Sequence, residues 1–166
     1  MVDFSGSHGV DTEMQEAWEQ HRARAAAQFA AHGACLTPFR EAVLRQIACC
    51  PQPLGAYDIA ARLSGELGKA VAPNSVYRVL DVLIACDVVR RVESKQAYCL
   101  ADPSVGPGSI LLMCEGCGSV EAVEASGIED AVNQQTEAAH FRAVRKVIEV
   151  TGICQSCDKA GQGDAA

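Results

Sequence analysis

Two Cys-x-x-Cys motifs constrain this sequence more than any other feature. Cys114 and Cys117 form the first, Cys154 and Cys157 form the second, and 36 residues lie between them. Each motif can place two sulfurs on one side of a metal ion, and two motifs complete the tetrahedral shell that Zn²⁺ prefers. Gly116 allows the first motif to turn tightly. The pattern predicts one structural zinc ion that joins the two ends of the C-terminal part of the chain.

A redox motif and unrelated buried thiols are the two alternatives to zinc. The separation between the pairs is longer than the usual zinc-ribbon spacing, which lowers the specificity of the match. However, a redox Cys-x-x-Cys usually stands alone at the start of a helix. Two copies, each at the end of a predicted strand, fit a closed metal site better.

The chain is expected to lie in the cytoplasm. Its polar, acidic beginning lacks the basic and apolar segments of a signal peptide. It has no apolar run of about 18 residues, the length that a membrane span requires. Nine cysteines are an odd number, and in a reducing compartment we expect thiols or metal ligands rather than disulfides.

The five cysteines outside the motifs carry weaker signals. Cys35, Cys49, Cys50 and Cys86 fall in or beside predicted helices, where a cysteine usually acts as a small buried hydrophobic residue. Cys99 falls on a predicted strand beside a linker, where a metal ligand is more plausible.

Charge is distributed unevenly along the chain. The net charge is −7 overall, but residues 36–92 carry +2, whereas residues 1–35 carry −3 and residues 93–166 carry −6. For nucleic-acid binding the distribution matters more than the sum. The middle segment is therefore the candidate for contact with DNA.

The N-terminal part has the pattern of a winged helix. Apolar spacing predicts helices over residues 12–32, from 37 to the prolines at 51 and 53, over 56–67, and from 73 onward. Two strand-like runs follow at 88–92 and 97–100, joined by a polar turn. Residues 1–10 are predicted to be disordered. We assign residues 1–101 to this winged-helix domain.

The C-terminal part is predicted to be a small α/β domain. Two glycines and two prolines in residues 102–109 predict a hinge. Strands are predicted at 110–113 and 119–124, a helix from a cap at Ser126 to about His140, and a β-rich run at 143–150. The second domain is assigned to residues 110–158 and a tail to 159–166. The predicted fold class is α+β.

The helix that begins at Pro73 is the candidate DNA-reading element. Such a helix can enter the major groove with its early residues towards the base edges. Arg78 has a planar donor fork that suits guanine, while Ser75, Tyr77 and Tyr57 are candidates for contacts with bases or phosphates. The alternative is that Arg78 is a solvated helix residue and Tyr57 a half-buried aromatic residue.

Taken together, the motifs resemble the ferric uptake regulator family and, within it, the zinc uptake branch. The resemblance covers residues 36–158. The matching segments are LTPFREAVL (36–44), AYDI (56–59), SVYRVLDVL (75–83), VESKQAYCL (92–100), CEGCGSVE (114–121) and VIEVTGICQSC (147–157).

The resemblance implies both architecture and function. It implies an N-terminal winged-helix DNA-binding domain and a C-terminal α/β dimerisation domain with a structural zinc site. The implied function is a homodimer that binds a palindromic operator in double-stranded DNA and represses zinc-uptake genes when zinc is replete. By position, Arg78 and Tyr57 are the implied base-contacting residues, and the four motif cysteines are the implied ligands of one zinc ion per chain.

The sequence departs from the family at the second, sensory zinc site. The positions that usually carry its ligands hold Arg90, Ala101 and Ala122, a further family histidine corresponds to Arg145, and the hinge contains no histidine. The substitutes considered are Cys99, Glu93, Asp102, Glu121, Glu124 and His140.

This departure leaves the signal open. One alternative is a DNA-binding regulator of the same fold that uses no sensory metal, or that senses redox through Cys99 or Cys86. An enzyme such as a thiol oxidoreductase is not expected, because it would require an exposed cysteine of low pKa.

Overall fold

The structure, a computed structural model, describes residues 8–106 and 108–162. Residues 1–7 of the segment predicted to be disordered, and residues 163–166 of the predicted tail, lie outside this description. Residues 8–10 were expected to be disordered but begin the first helix, since no proline interrupts the run up to Ala31.

Six helices and six strands make up the described part of the chain. The helices are α1 (His8–Ala31), α2 (Pro38–Ala48), α3 (Ala56–Leu67), α4 (Pro73–Ala85), α5 (Ile128–Ala138) and α6 (Gln155–Gln162). The strands are β1 (Leu54–Gly55), β2 (Val89–Val92), β3 (Ala97–Leu100), β4 (Ile110–Cys114), β5 (Val120–Val123) and β6 (Glu149–Gly152).

Local sequence signals set the ends of the N-terminal helices. Thr37 caps α2 by accepting a hydrogen bond from the Arg40 backbone amide at 3.4 Å, and Pro38 takes the first helical position. Gly33 and Gly68, which follow α1 and α3, have φ of +66° and +63°. This left-handed conformation strongly favours glycine, so both helices end where the sequence predicts.

The main hydrophobic core joins the N-terminal helices to the first sheet. Trp18 and Phe29 of α1 are buried in the same cluster as residues of α2, α3 and α4. The predicted inward faces are confirmed for α2 and largely for α3 and α4, which bury Leu44, Ile59 and Leu80 completely. Leu67, predicted to continue the α3 stripe, is instead exposed because it lies in the last turn of its helix.

The first sheet is the predicted hairpin with one added strand. Its order is β1-β3-β2, and all pairs are antiparallel. β1 was not predicted, because a strand of two residues has no periodicity to detect. The turn between β2 and β3 has Gln96 at φ +48°. We call residues 88–100, which contain this hairpin, the wing.

The second sheet carries both Cys-x-x-Cys motifs. Its order is β5-β4-β6, with β5 antiparallel and β6 parallel to the central β4. Cys114 ends β4 and lies opposite Gly152, which ends β6. Because β4 and β6 run in the same direction, the segments that follow them emerge at the same edge of the sheet, as two motifs sharing one ion require.

The wing packs against this second sheet. Val92 of β2 is completely buried in a small cluster with Leu111 and Met113 of β4, and Cys99 is packed at its margin. Contact between the two sheets therefore positions the N-terminal half of the molecule relative to the half that contains the cysteine motifs.

Three predictions for the C-terminal part were wrong in detail. Ser126 does not cap α5; Gly127 precedes the helix, with no side-chain cap. The run at 143–150 is strand only from Glu149, since β4 offers no partner before Leu111. Residues 159–162 of the predicted tail continue α6, which begins inside the second motif.

The burial of the isolated cysteines also differs from the prediction. Cys86 is buried as expected and Cys50 is half-buried, but Cys35 and Cys49 are exposed. Both lie outside the helices, where their side chains do not face the core. None of the helices in the described ranges is long and apolar enough to cross a membrane.

Candidate metal centre and nucleic-acid interface

The four motif cysteines converge on one point. The Sγ atoms of Cys114, Cys117, Cys154 and Cys157 all lie within 4.8 Å of one another. A Zn–S bond of about 2.3 Å places two tetrahedral ligand sulfurs about 3.8 Å apart, and the Cys117 and Cys154 sulfurs are 3.9 Å apart. The arrangement therefore fits a closed tetrathiolate zinc site, whereas a redox motif needs only two sulfurs.

Hydrogen bonds from neighbouring residues favour the thiolate form of two cysteines in the cluster. The Cys154 amide donates to the Cys114 sulfur at 3.3 Å. Backbone donors, first from Cys154 and then from Cys117, lower the pKa of Cys114 to about 6. The Ser119 side chain and then its backbone lower the pKa of Cys117. Two of the four ligands are thus predisposed to the thiolate form that binds metal.

The pKa of Cys157 shows how the close approach of the four sulfurs disfavours the thiolate form. Hydrogen bonding to Cys154, followed by bonds to Cys114 and Cys117, raises the pKa of Cys157 to about 12. Proton sharing can relieve the repulsion between neighbouring sulfur charges, and a divalent cation at their centre relieves it more completely. The cluster as a whole is therefore suited to a cation.

Gly116 leaves the space that the sulfurs occupy. A Cβ at this position would lie 3.0 Å from the sulfur of Cys157 and 3.6 Å from that of Cys114. The first motif is also fastened to the N-terminal half, because the Gln52 side-chain amide donates to the Cys117 carbonyl at 2.8 Å. Sequence reasoning missed Gln52, which carries no motif signal of its own.

The candidate DNA-contacting residues form one exposed surface. Tyr57, at the start of α3, is 69% exposed, and Tyr77 of α4 is 38% exposed. Their rings meet edge to face with centroids 6.3 Å apart. Tyr57 was considered as a half-buried residue, but the structure exposes it, and the contact joins the first turn of α3 to α4.

Arg78 follows Tyr77 on α4, and its side chain is exposed. Ser75 is also exposed, in the first turn of the helix. Within the part of the chain that the structure describes, the Arg78 guanidinium makes no hydrogen bond or ion pair. Its donor fork therefore stays available for an external acceptor such as guanine or phosphate.

Arg90 and Arg145, which the resemblance aligns with family histidines, form hydrogen bonds and ion pairs within the chain. Arg90 donates hydrogen bonds to the Ser109 hydroxyl and to the Gly106 carbonyl, both in the segment 102–109 that the sequence predicts to be a hinge. Arg145 forms an ion pair with Glu93, which Arg91 also contacts at 3.2 Å. Arg145 thus joins the C-terminal part of the chain to the wing, and Arg90 joins the wing to the segment 102–109.

The candidate substitute ligands do not assemble into a second cluster. Cys99, Asp102 and Glu121 line one cavity of about 370 Å³, together with His21 and Arg24. Burial raises the pKa of Cys99 to about 11. Burial, and then the Arg24 charge, lower the pKa of His21. Glu93 is ion-paired elsewhere, and neither Glu124 nor His140 lines this cavity.

Across the described ranges, the four motif cysteines are the single group of three or more ligand side chains close enough to share an ion. The cavity also contains the Arg24 cation, which opposes a metal ion of the same sign. The residues present therefore fit the structural zinc and do not fit a preassembled sensory site.

The C-terminal half exposes an unusual amount of apolar surface. α5 buries none of its residues, although it has a clear apolar face. Ile128, Ala131 and Phe141 line an open cavity of about 480 Å³ beside it. Phe141 is 66% and Val144 is 85% exposed. Contiguous apolar surface of this kind marks an interaction site.

Comparison with known proteins gives one consistent family. The model of the ferric uptake regulator family matches residues 31–151. The zinc uptake regulation protein of Escherichia coli (strain K12) is 34% identical over 124 residues, which cover 74% of this chain and 72% of that protein. The ferric uptake regulation protein of Legionella pneumophila is 32% identical over 92 residues, covering 55% of this chain and 68% of that protein.

Solved structures match over nearly the whole fold. A zinc uptake regulator complexed with zinc and DNA gives a TM-score of 0.76 at 30% identity, covering 90% of this chain and 97% of that one. Holo XcZur gives a TM-score of 0.72 at 29% identity, covering 86% of this chain and 99% of that one.

Proposed function

Because this chain belongs to the ferric uptake regulator family, we propose that it is a dimeric, zinc-responsive repressor that binds operators of zinc-uptake genes. The observation that carries the proposal is the superposition of 90% of the chain on a zinc uptake regulator complexed with zinc and DNA. The α4 surface and the four-cysteine cluster are the parts of this chain that would carry DNA binding and zinc binding.

The four motif cysteines would hold one structural zinc ion. When bound, the ion supplies four metal–sulfur bonds that stabilise the C-terminal fold. Such a contribution is needed there, because most of the buried apolar residues belong to the N-terminal core. The second cluster has only three buried residues, namely Val92, Leu111 and Met113. A cluster of this size contributes little apolar burial to the stability of the domain.

DNA recognition is assigned to the exposed surface of α3 and α4. Arg78 would read a base edge, Tyr57 would contact a neighbouring base, and Ser75 and Tyr77 would bind phosphate or base. What supports these roles is exposure, the absence of an internal partner for Arg78 among the described residues, and position on α4. Two copies would present two such surfaces, which suits a palindromic operator.

The relatives are transcription regulators, and we infer that this chain regulates transcription and catalyses no reaction of its own. We place it in the cytoplasm, where a DNA-binding regulator meets its operators. The hinge at 102–109 is proposed as the boundary between the DNA-binding and dimerisation domains.

Selection of duplexes from a random library tests the proposal. Zinc-loaded protein should enrich a two-fold symmetric sequence, because a symmetric dimer binds two half-sites. Removing zinc with a strong chelator should weaken binding at least about tenfold, and zinc, but not magnesium, should restore it. Enrichment of no sequence, or equal binding by the chelated protein, would contradict the function.

The dimer interface is proposed on the apolar surface beside α5. Replacing Phe141, which lines this surface, with aspartate should shift the zinc-loaded protein towards monomer, because the dimer would bury the carboxylate. Sedimentation measures the shift. Leu67→Asp is the matched control, since Leu67 is an exposed apolar residue of the other half, and it should remain dimeric. If Phe141→Asp dimerises as well as the unmodified chain, the interface lies elsewhere.

A further inference from the structure

One carboxylate joins the zinc-bearing sheet to the wing. The two oxygens of Glu149, the first residue of β6, accept hydrogen bonds from the backbone amides of Glu93 and Ser94 at 2.6 and 3.0 Å. Burial alone would raise the pKa of Glu149, but the hydrogen bonds from Ser94 and Glu93 and the Arg145 charge bring it below its usual range. The wing turn is therefore held by a charged acceptor across 55 residues or more of sequence.

The other end of the same short strand belongs to the metal centre. β6 ends at Gly152, whose carbonyl accepts from the Glu115 amide at 2.8 Å, and Cys154 follows two residues later. The Cys154 amide in turn donates to the Cys114 sulfur. Only four residues thus lie between Glu149, which contacts the wing, and Cys154, the first of the two cysteines that would bind the metal from this segment.

β6 has little else to hold it in place. It is an edge strand that pairs only with β4 in its sheet, and none of its residues is fully buried. An edge strand of four residues with no buried side chain is weakly stabilised within one chain. With the metal bound, Cys154 and Cys157 would tie its end to the turn that follows β4; without it, little prevents the strand from fraying.

A second metal ion is not needed to connect the two halves. Arg90, at an implied sensory-ligand position, bonds to Ser109 of the proposed hinge, and the Arg145–Glu93 ion pair holds the wing. Among the described residues no second group of ligands is close enough to share an ion.

We propose that β6 couples occupancy of the four-cysteine site to the DNA-binding half, with Glu149 positioning the wing, so that one zinc ion per chain is sufficient for operator binding. This inference rests on the proposed function and specifies its regulation. Operator binding then depends on zinc binding to the four cysteines. The metal orders one end of β6, and Glu149 at the other end of β6 is hydrogen-bonded to the wing.

Stoichiometric zinc titration of the full-length chain, starting from the zinc-free protein, tests the first part. Zinc per chain is measured by native mass spectrometry and operator affinity by fluorescence anisotropy at each step. Affinity should reach its plateau at one ion per chain. A further rise of tenfold or more between one and two ions would overturn the inference.

Glu149→Ala tests the second part. The variant should keep one zinc ion per chain and remain dimeric, while operator affinity falls about tenfold. Hydrogen exchange at the amides of Glu93 and Ser94 should become faster, because both lose their acceptor. Glu149→Gln, which keeps one carbonyl acceptor, should lose less affinity. The matched control is Glu124→Gln, an exposed carboxylate of the same half with no hydrogen bond to the wing in the described part of the chain.

The outcomes separate this inference from the function on which it rests. If the unmodified protein binds no duplex at any zinc level, the proposed function fails. If it binds its operator but Glu149→Ala binds equally well with unchanged exchange at Glu93 and Ser94, the function stands and the coupling through β6 is wrong. Loss of zinc by Glu149→Ala would also overturn the inference, because Glu149 would then support the metal centre itself.

Discussion

Replacing Cys114 with serine is expected to remove the tightly bound zinc and, with it, the dimer. A hydroxyl is a poor zinc ligand compared with a thiolate, and Cys114 is the buried member of the cluster and the acceptor of the Cys154 amide. Structural zinc sites of this type contribute on the order of 10 kcal/mol or more to folding. The C-terminal half has too small a core to remain folded after a loss of that size.

Native mass spectrometry and sedimentation measure this effect together. The variant should carry less than one zinc ion per chain and sediment as monomer, while the N-terminal helices keep their circular dichroism signal. Cys35→Ser is the matched control, since Cys35 is an exposed thiol outside the cluster; it should keep metal and dimer. A Cys114→Ser protein that is fully metallated and dimeric would exclude the four-cysteine site.

Replacing Arg78 with alanine is expected to lower operator affinity by about 1–3 kcal/mol, which is roughly 5- to 150-fold. Arg78 is exposed on α4 without an internal partner in the described ranges, so its removal should leave the fold unchanged. A bidentate contact with guanine would also make the loss sequence-dependent. The variant should therefore bind competitor duplexes almost as well as the unmodified chain does.

Anisotropy titrations against the selected operator and a scrambled duplex measure both quantities. Arg62→Ala is the control, because Arg62 is an exposed arginine of α3 and its removal changes the net charge equally. It should lower both affinities slightly and leave their ratio unchanged. If Arg78→Ala binds the operator as tightly as the unmodified chain, and with the same ratio of operator to scrambled-duplex affinity, Arg78 is a solvated helix residue and another group contacts the bases.

The sequence predicted most of the architecture, for reasons that are local. Thr37 and Pro38 mark the start of α2, Gly68 marks the end of α3, and the apolar spacing of α4 predicts its buried face. Each signal acts within a few residues of the element it defines. The predictions that were wrong, at Ser126 and over 143–150, concern elements whose bounds depend on tertiary partners.

The metal centre was predictable in its ligands but not in its surroundings. Cysteine spacing identified all four sulfurs, because soft ligands in pairs carry a chemical meaning that does not depend on the fold. Gln52, which binds the first motif from 65 residues away, has no such signal. The same holds for His21, which the fold brings to the cavity beside Cys99.

The residue pattern alone indicates the chemistry of this chain: two pairs of sulfurs, an arginine on the helix proposed to contact DNA, and a winged-helix pattern. The connections between these parts depend on the folded chain. In the sequence, nothing distinguishes Glu149 from an ordinary surface carboxylate. In the structure, the parallel pairing of β4 with β6 places it against the amides of Glu93 and Ser94. The physical reason is that hydrogen bonds between distant segments depend on strand register and packing, which no local residue pattern encodes.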